Sequence, residues 1–394
     1  MVDFEFSQPT KIMFGETSVS KVGAETKKYA DKALVIYGGE SAKKNGSLDA
    51  ALRSLEAAGV SYVLRGGVQP NPRVHFVREA VELGKKENVG LVLAVGGGSC
   101  IDAAKGIALG IANDGDVWDE YYMQRGRSAE KALPVGSVLT IPAAGSETSV
   151  GSVVTYPEKN LKRGFAHPVL IPKFAAIDPR YHLTLPRFQT AAGVCDMMIH
   201  MLERYFVHTR DIDFTDRLIE AACQSLILSA ERVMRDPSDL AARAEIAWIG
   251  TIAHNNLCEC GRTHGDWASH LIAQELAGYH DTTHGACLSV IFPTWMEYVY
   301  KEEPGLFAQF AVRVMGARDT LRDTEHLARE GIRLLREFFG SMGLPLTLRE
   351  AGVGRENLEA IARGAATVYG SDHIGKLMPL YEEDVKKILT AAAE

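Results

Sequence analysis

The stretch Leu91–Asp102, LVLAVGGGSCID, decides the fold of this 394-residue chain. Its first five residues are all apolar, as in a strand that is buried on both faces of a sheet. Three glycines stop the strand, and a helical pattern begins directly after them. A tight turn without a ligand would explain this pattern. However, open α/β sheets bind ligands at the carboxyl ends of their strands, and a helix N-terminus attracts phosphate. The position of the turn therefore favours a phosphate site.

Further strands and helices are predicted on both sides of this stretch. Continuous apolar strands that alternate with amphipathic helices indicate a parallel sheet covered on both faces. The predicted strands are Ala33–Tyr37, Ser61–Leu64, Leu91–Val95, Val135–Ile141 and Phe174–Ile177, and helices are predicted at Leu48–Ala58 and Val74–Glu87.

The pattern changes after Asp178-Pro179, where long helical periodicities such as Phe214–Arg235 replace the strand-like runs. We therefore predict an α/β domain with a parallel sheet over residues 1–186. An all-α domain is predicted over residues 187–394. No flexible linker separates the two, so we expect an active site in a cleft between them.

Composition restricts the class of partner. The chain has 43 Lys and Arg against 50 Asp and Glu, and its net charge of -7 argues against nucleic acid or an anionic membrane as the partner. No apolar run reaches the roughly 18 residues of a membrane helix, and the first residues lack a secretory signal pattern. Six cysteines in so long a chain fit a reducing compartment. We expect a cytoplasmic protein that acts on small molecules.

Two more segments follow predicted strands and are candidates for nucleotide contacts. The first reads YGGESAKK over residues 37–44. There, Ser41 and the two lysines fit a phosphate, whereas Glu40 fits a ribose hydroxyl; a solvated helix start would explain the lysines equally. The second segment, Thr140–Ser149, is a loop of small residues that could line the same nucleotide site.

Asp196 and His200 lie four residues apart in a helical stretch, so both side chains project from one helix face. A buried hydrogen-bonded pair is the commoner explanation of such a pattern. His270 and His284 would lie about 21 Å apart on one straight helix, but a break near residues 278–283 allows the chain to turn back. One carboxylate and three imidazoles suit Fe²⁺, Zn²⁺ or Co²⁺ better than Mg²⁺ or Ca²⁺.

His280 lies inside this break. It fits either a proton relay beside the metal or a loop histidine without a role.

The order and spacing of these motifs resemble the iron-containing (group III) alcohol dehydrogenases, in their butanol-dehydrogenase and broad-specificity aldehyde-reductase branch. The resemblance extends from the Tyr37-Gly-Gly turn to Leu344-Pro345. The motifs that carry it are Pro70-Asn71-Pro72, the GGGS turn with the Ile-Asp after it, Gly145-Ser146-Glu147, Asp178-Pro179, Asp196-x-x-x-His200, Trp267-Ala-Ser-His270 and His284-Gly285.

The resemblance implies that residues 1–186 form a dinucleotide-binding domain, that residues 187–394 form a helical metal-binding domain, and that the protein is a homodimer. It places Lys162 close to cofactor and substrate. The implied metal ligands are Asp196, His200, His270 and His284. The candidate cofactor-binding residues, from the resemblance and the loops above, are Gly38, Gly39, Ser41, Asn71, Gly97, Gly98, Ser99, Asp102, Thr140 and Ser149.

Two cofactor choices follow. Ser41 and the lysines beside it favour NADP, but Glu40 replaces a glycine of the NADP-using branch, so NAD is the alternative. Four protein ligands favour Fe²⁺, with Zn²⁺ as the alternative, because catalytic zinc usually keeps three. Gln274 stands where relatives usually carry a histidine.

These features predict a metal- and NAD(P)-dependent alcohol dehydrogenase that reduces aliphatic aldehydes to primary alcohols by hydride transfer. A dehydroquinate-synthase-like lyase or a glycerol-type dehydrogenase on the same fold is the alternative. The lyase would need a basic cluster for a phosphorylated substrate, whereas the residues around the metal motifs are mainly apolar. A non-catalytic binding protein is a third hypothesis, disfavoured because two independent sites are predicted at one domain boundary.

Overall fold

The computed structural model describes residues 1–124, 128–318, 323–368 and 370–394. Their packing forms two units. The α/β unit consists of Ser7–Leu185 and Ser238–Thr251, and the helical unit consists of Met1–Phe6, Pro186–Pro237 and Ile252–Glu394. The units therefore differ from the two contiguous domains that the sequence predicts, because one terminal and one internal segment belong with the other half of the chain. The expected active-site cleft stays a prediction.

The strands and helices are numbered here in chain order. The strands are β1 (Lys11–Phe14), β2 (Lys32–Tyr37), β3 (Ser61–Gly66), β4 (Leu91–Gly97), β5 (Val135–Ile141), β6 (Gly151–Tyr156), β7 (Leu161–Ala166), β8 (Phe174–Ile177), β9 (His373–Ile374) and β10 (Leu380–Tyr381). The helices are α1 (Val22–Lys27), α2 (Ser41–Lys44), α3 (Ser47–Ala57), α4 (Val74–Lys86), α5 (Gly98–Ala112), α6 (Arg187–Tyr205), α7 (Asp213–Arg235), α8 (Leu240–Ala253), α9 (Ala268–His280), α10 (His284–Val299), α11 (Pro304–Arg313), α12 (Thr324–Ser341), α13 (Leu358–Thr367) and α14 (Glu382–Ala392).

The α/β unit is built on a parallel sheet with the strand order β1-β8-β5-β4-β2-β3. Successive side chains of a strand point to opposite faces, so each strand contributes to two cores. Leu34 and Ile36 of β2 pack with residues of α4 and α5 on one face. Ala33 and Val35 pack with residues of α3 on the other face. The predicted α/β architecture, with a parallel sheet between helices, is confirmed.

All five predicted strands are present, but the sequence did not reveal three others among the described residues of the α/β unit, β1, β6 and β7. β1 is four residues long and buries only Met13, so it shows no apolar run. β6 and β7 form an antiparallel hairpin separate from the main sheet, and this hairpin was also not predicted. Strands that are short or only partly buried carry a weak pattern, because period-two alternation depends on one buried face.

The helical unit contains most of the remaining helices, as the sequence predicts for the second half of the chain. The all-α description needs a correction, because β9 and β10 pair antiparallel. Two-residue strands are too short for any periodicity to reveal them. Within the described residues, no helix combines the length and the apolar character needed to span a lipid bilayer.

Candidate functional site

Three of the predicted nucleotide-binding segments meet at one edge of the sheet. Gly38 directly follows β2, Gly97 ends β4, and Thr140 lies at the end of β5. β5, β4 and β2 are neighbours in the sheet, so their carboxyl ends lie side by side. This edge is where open α/β sheets bind their ligands.

The glycine turn is shaped by its packing against the neighbouring strand and loop. A Cβ atom at Gly97 would lie 2.8 Å from Cβ of Ile141, at a point where the pairing of β4 with β5 shifts register. A Cβ atom at Gly98 would lie 3.3 Å from Cβ of Ala144. Gly98 begins the 15-residue helix α5, and Ser99 follows it in the first turn. The turn therefore presents backbone N–H groups of a long helix, the arrangement that binds phosphate.

The turn after β2 contains an ion pair between two residues for which the sequence suggested different nucleotide contacts. Glu40 precedes α2, and its Oε1 lies 3.0 Å from Nζ of Lys43. This hydrogen bond raises the pKa of Lys43. Ser41 is exposed at the start of α2, and a Cβ atom at Gly39 would meet no other atom within 4 Å. The lysine predicted to hold a phosphate is thus already paired with the carboxylate predicted to bind a ribose.

Asp102 lies one turn into α5, and each of its carboxylate oxygens accepts a hydrogen bond. Oγ of Ser146 donates to Oδ1 at 2.5 Å, and the backbone N–H of Val153 donates to Oδ2 at 3.1 Å. Burial raises the pKa of this carboxyl group, while hydrogen bonding and the nearby Lys105 oppose that rise. Lys105 was not singled out from the sequence.

Lys162 and Asn71 are brought together although 91 residues separate them. Nζ of Lys162, on β7, donates to Oδ1 of Asn71 at 2.8 Å, and both side chains are buried. Asn71 has a φ of 53°, in the left-handed region that asparagine tolerates better than most residues. A link between these two residues was not anticipated from the sequence.

The predicted metal ligands converge in the helical unit. Oδ1 of Asp196 lies 3.4 Å from Nδ1 of His200, 3.7 Å from Nε2 of His270 and 3.9 Å from Nε2 of His284. α9 ends at His280, and Asp281 turns the chain with a φ of 49°. The rings of His270 and His284 consequently lie 5.4 Å apart instead of the 21 Å of a straight helix.

These separations fit a bound cation. Two ligands at about 2.1 Å from a tetrahedral ion lie about 3.4 Å apart, close to the distances observed here. One ligand atom each of Asp196, His270 and His284 lies within 4.8 Å of the others. His200 is adjacent to this group of three, and its ring lies 4.5 Å from that of His270. Nδ1 of His200 and Nε2 of His270 are buried without a hydrogen-bond partner among the described residues.

Glu203 is a residue of this site that the sequence reasoning missed. It is fully buried, and its Oε1 lies 3.1 Å from Nδ1 of His270. The same oxygen accepts from the backbone N–H of His270 at 3.2 Å, and Oε2 accepts from the N–H of Trp267 at 2.6 Å. Glu203 follows Asp196 by seven residues, two helical turns later on the same face. That spacing is a signal that could have identified it.

The two central histidines have opposite electrostatic surroundings. Burial lowers the pKa of His200 well below its ordinary value. Burial also disfavours a charge on His270, but the nearby carboxylates of Asp196 and Glu203 outweigh this effect and raise the pKa of His270. Arg204 borders this region, since it donates to the backbone oxygen of His200 at 2.7 Å.

His280 does not belong to the group formed by Asp196, His270 and His284. It is the last residue of α9, ten residues after His270, which corresponds to about 15 Å along a helix. Its Nε2 is buried without a hydrogen-bond partner among the described residues. A relay role for His280 stays a prediction.

Comparison with known proteins identifies the family. The model of the family "Iron-containing alcohol dehydrogenase" matches residues 9–179, and that of "Fe-containing alcohol dehydrogenase family, C-terminal" matches residues 190–393. The chain is 39% identical over 389 residues to NADH-dependent butanol dehydrogenase A of Clostridium acetobutylicum, covering 98% of this chain and 99% of that protein. It is 32% identical to the NADPH-dependent aldehyde reductase YqhD of Escherichia coli, with 92% of each chain covered.

Solved structures agree with these matches. The structure of NADH-dependent butanol dehydrogenase A from Thermotoga maritima is 38% identical and superposes with a TM-score of 0.95, covering 100% of this chain and 99% of that one. The structure of YqhD from Escherichia coli gives a TM-score of 0.93 at 30% identity, covering 99% of this chain and 98% of that one. The chain belongs to the iron-containing alcohol dehydrogenase family, in its butanol dehydrogenase and aldehyde reductase branch.

Proposed function

We propose that this protein is a metal- and NAD(P)-dependent alcohol dehydrogenase that reduces aliphatic aldehydes to primary alcohols. The observation that carries the proposal is the convergence of three imidazoles on Oδ1 of Asp196, at 3.4–3.9 Å. A nucleotide-type glycine turn in the same chain adds the second element of such an enzyme. The relatives described above are dehydrogenases and a reductase, which supports this function over a lyase.

In this proposal, Asp196, His270 and His284 hold a divalent cation, together with His200. A bound cation supplies Lewis-acid polarisation of a carbonyl oxygen. Glu203 fixes the tautomer of His270 that can bind a cation. A carboxylate only accepts hydrogen bonds, so Nδ1 of His270 carries the proton and Nε2 presents its lone pair towards Asp196.

We propose Fe²⁺ as the resident ion and Zn²⁺ as its substitute, because four protein ligands exceed the three of most catalytic zinc sites. Elemental analysis of protein purified without added metal tests this choice. Assembly as a homodimer and a cytoplasmic location stay predictions.

The α/β unit is proposed to bind the nucleotide, which supplies the hydride. The helix start at Gly97, Gly98 and Ser99 receives the pyrophosphate, and Lys162 faces cofactor and substrate. The other residues proposed to contact the nucleotide are Gly38, Gly39, Ser41, Asn71, Asp102, Thr140 and Ser149.

We propose NADH as the preferred nucleotide, the reverse of the preference that Ser41 and the lysines suggest from sequence. Because Lys43 is paired with Glu40, its charge is less available to a 2′-phosphate, and the carboxylate of Glu40 is proposed to lie near the ribose. The butanol dehydrogenase relative is NADH-dependent, whereas YqhD is NADPH-dependent.

The proposed substrates are unbranched aldehydes of medium length. A cavity of about 370 Å³ opens in the helical unit, within the size range of small-ligand pockets. Thr283 and Ala286, on either side of His284 in sequence, line it together with Phe188, Leu344 and other residues. This mainly apolar lining favours a hydrocarbon chain over a polyol or a sugar phosphate.

The test is a nicotinamide absorbance assay with purified protein, Fe²⁺ or Zn²⁺, NADH or NADPH, and a series of C3 to C8 aldehydes. We expect metal-dependent oxidation of the nucleotide and formation of the corresponding alcohol. A lyase of the dehydroquinate-synthase type regenerates its nucleotide and would give no net absorbance change. A folded, metal-loaded protein that binds nucleotide but oxidises none of it with any of these aldehydes would contradict the proposal.

A further inference from the structure

Lys105 is a fully buried lysine that the proposed reaction does not use. It lies on α5, seven residues after Gly98, and its side chain has no exposed surface. Lysine is almost never fully buried unless its charge is compensated. Burial lowers the pKa of Lys105 to about 8, while the charges of Asp102 and Glu147 favour the ammonium form.

The ammonium group contacts one short segment, the loop at residues 146–149 and the start of β6. Nζ of Lys105 lies 3.1 Å from Oγ of Ser146 and 2.7 Å from the backbone oxygen of Gly151. It also lies 2.9 Å from the backbone oxygen of Ser149 and 3.3 Å from Oγ of Ser149. A methionine would fill a similar volume without the cost of desolvating a charge. The N–H donors of Lys105, and not its volume, therefore explain why a lysine occupies this position.

The donors fix the direction of two hydroxyl groups, because an ammonium group donates hydrogen bonds and accepts none. Oγ of Ser146 accepts from Lys105, so its own proton is directed to Oδ1 of Asp102, 2.5 Å away. Oγ of Ser149 is the farthest of the four acceptors that share the three N–H groups, and its own proton is likewise directed away from the cation. One buried cation thus orients a carboxylate and a hydroxyl group.

We propose that Lys105 is a positioning residue for the nucleotide, acting through Ser146 on Asp102 and directly on Ser149. The inference rests on the proposed function, in which Asp102 and Ser149 contact the nucleotide. In this arrangement Asp102 keeps one carboxylate orientation, and Ser149 donates its proton to the nucleotide. The order that Lys105 imposes before binding reduces the entropy that nucleotide binding must remove.

The test measures NADH binding by calorimetry in the metal-loaded protein, without aldehyde. Lys105→Met and Ser146→Ala are each expected to raise the Kd of NADH by about tenfold, the effect of losing one charge-assisted hydrogen bond. The double variant should bind about as weakly as Lys105→Met alone, because both changes interrupt the same chain of hydrogen bonds. In steady-state assays, the KM for NADH should rise in both variants while the KM for aldehyde stays unchanged.

Ser152→Ala is the matched control. Oγ of Ser152 donates to the backbone oxygen of Asp102 at 2.8 Å, so the change leaves the carboxylate contacts intact. Its effect on the Kd should be smaller than that of Ser146→Ala and should multiply with that of Lys105→Met. Equal effects of the two serine changes, or multiplicative effects of Lys105→Met and Ser146→Ala, would overturn the proposal.

Thermal unfolding establishes whether each variant folds. If Lys105→Met does not fold, the comparison of Ser146→Ala with Ser152→Ala still decides, because both remove one hydroxyl from the same region. Wild-type protein that binds NADH without turnover would contradict the proposed function and leave this test intact. An unchanged Kd in folded Lys105→Met would contradict the role of Lys105 alone.

Discussion

The two units assemble their candidate sites in different ways. In the α/β unit, the sheet places loops side by side, and a contiguous turn at residues 96–99 begins a 15-residue helix. In the helical unit, the candidate ligands come from α6, α9 and α10, and no two adjacent residues contribute. The α/β site depends mainly on backbone shape, whereas the helical site depends on individual side chains. Single substitutions should therefore affect the helical site more strongly.

The largest expected effect is the loss of turnover in His270→Ala and His284→Ala. Each change removes a nitrogen that faces Oδ1 of Asp196. Turnover should fall by at least about a thousandfold, because Lewis-acid stabilisation is worth several kcal/mol. NADH binding should persist, because the nucleotide residues lie in the other unit. Assay and elemental analysis measure both effects, with His326→Ala on α12 as an exposed control. Full activity without bound metal in either variant would contradict the assignment.

Glu203→Gln tests whether metal binding in the helical unit depends on the hydrogen bond between Glu203 and the candidate ligand His270. The change replaces a pure acceptor by an amide whose N–H groups meet the donors of His270 and Trp267. We expect the Kd for Zn²⁺ to rise about 10- to 100-fold, as for other partners of ligating histidines. Competition with a chelator measures it.

Glu220→Gln is the matched control for that experiment. Glu220 is a buried carboxylate on α7 that accepts from the hydroxyl of Tyr205 at 2.7 Å, away from the candidate ligands. Metal affinity should be unchanged in this variant. Equal losses in both variants would mean that the effect is general destabilisation.

His182, a buried histidine of the α/β unit, is not a candidate metal ligand and can be compared with the histidines of the helical unit. His182 has no exposed surface, its Nε2 lies 3.0 Å from the backbone oxygen of Leu139, and burial lowers its pKa to about 4. Below about pH 6.5, the ordinary pKa of histidine, the imidazole is protonated in the unfolded chain but stays neutral in the folded protein. The free energy of unfolding should thus fall by up to about 3 kcal/mol between pH 6.5 and 4.

His182→Gln keeps a donor for Leu139 and removes the titration. Urea unfolding at several pH values should show the difference between wild type and variant shrinking as the pH falls. A difference that is constant with pH would disprove the effect of burial on His182.

A smaller effect is expected for nucleotide choice. Glu40→Gly removes the carboxylate that pairs with Lys43, so the ratio of kcat/KM for NADPH to that for NADH should rise about tenfold. Glu40→Gln separates charge from backbone freedom and should give most of the change. Unaltered ratios in both variants would show that this turn does not select the nucleotide.

The smallest effect concerns chain length of the aldehyde. Each added CH₂ group should raise kcat/KM about fourfold until the pocket is filled, because burying it is worth about 0.8 kcal/mol. A series of linear aldehydes measures this increase, with hydroxylated analogues as controls. A flat profile would contradict an apolar pocket.

The sequence by itself determined the elements whose signal is local. The apolar run at Leu91–Val95 and its glycines predicted the strand, the turn and the helix that follow one another in β4 and α5. Strand–helix alternation predicted the parallel sheet, because only a strand covered on both faces is continuously apolar. Asp196 and His200 were found for the same reason, since their spacing places them on one helix face.

Tertiary structure alone decided which distant residues meet. The turn after α9 brings His270 and His284 together, and folding buries Lys105 and Glu203, two charged residues that the sequence analysis did not single out. The pairing of Lys162 with Asn71, which are 91 residues apart, became visible only with side-chain positions. The physical reason is that burial of a charge depends on partners supplied by other segments, and no local periodicity encodes those partners.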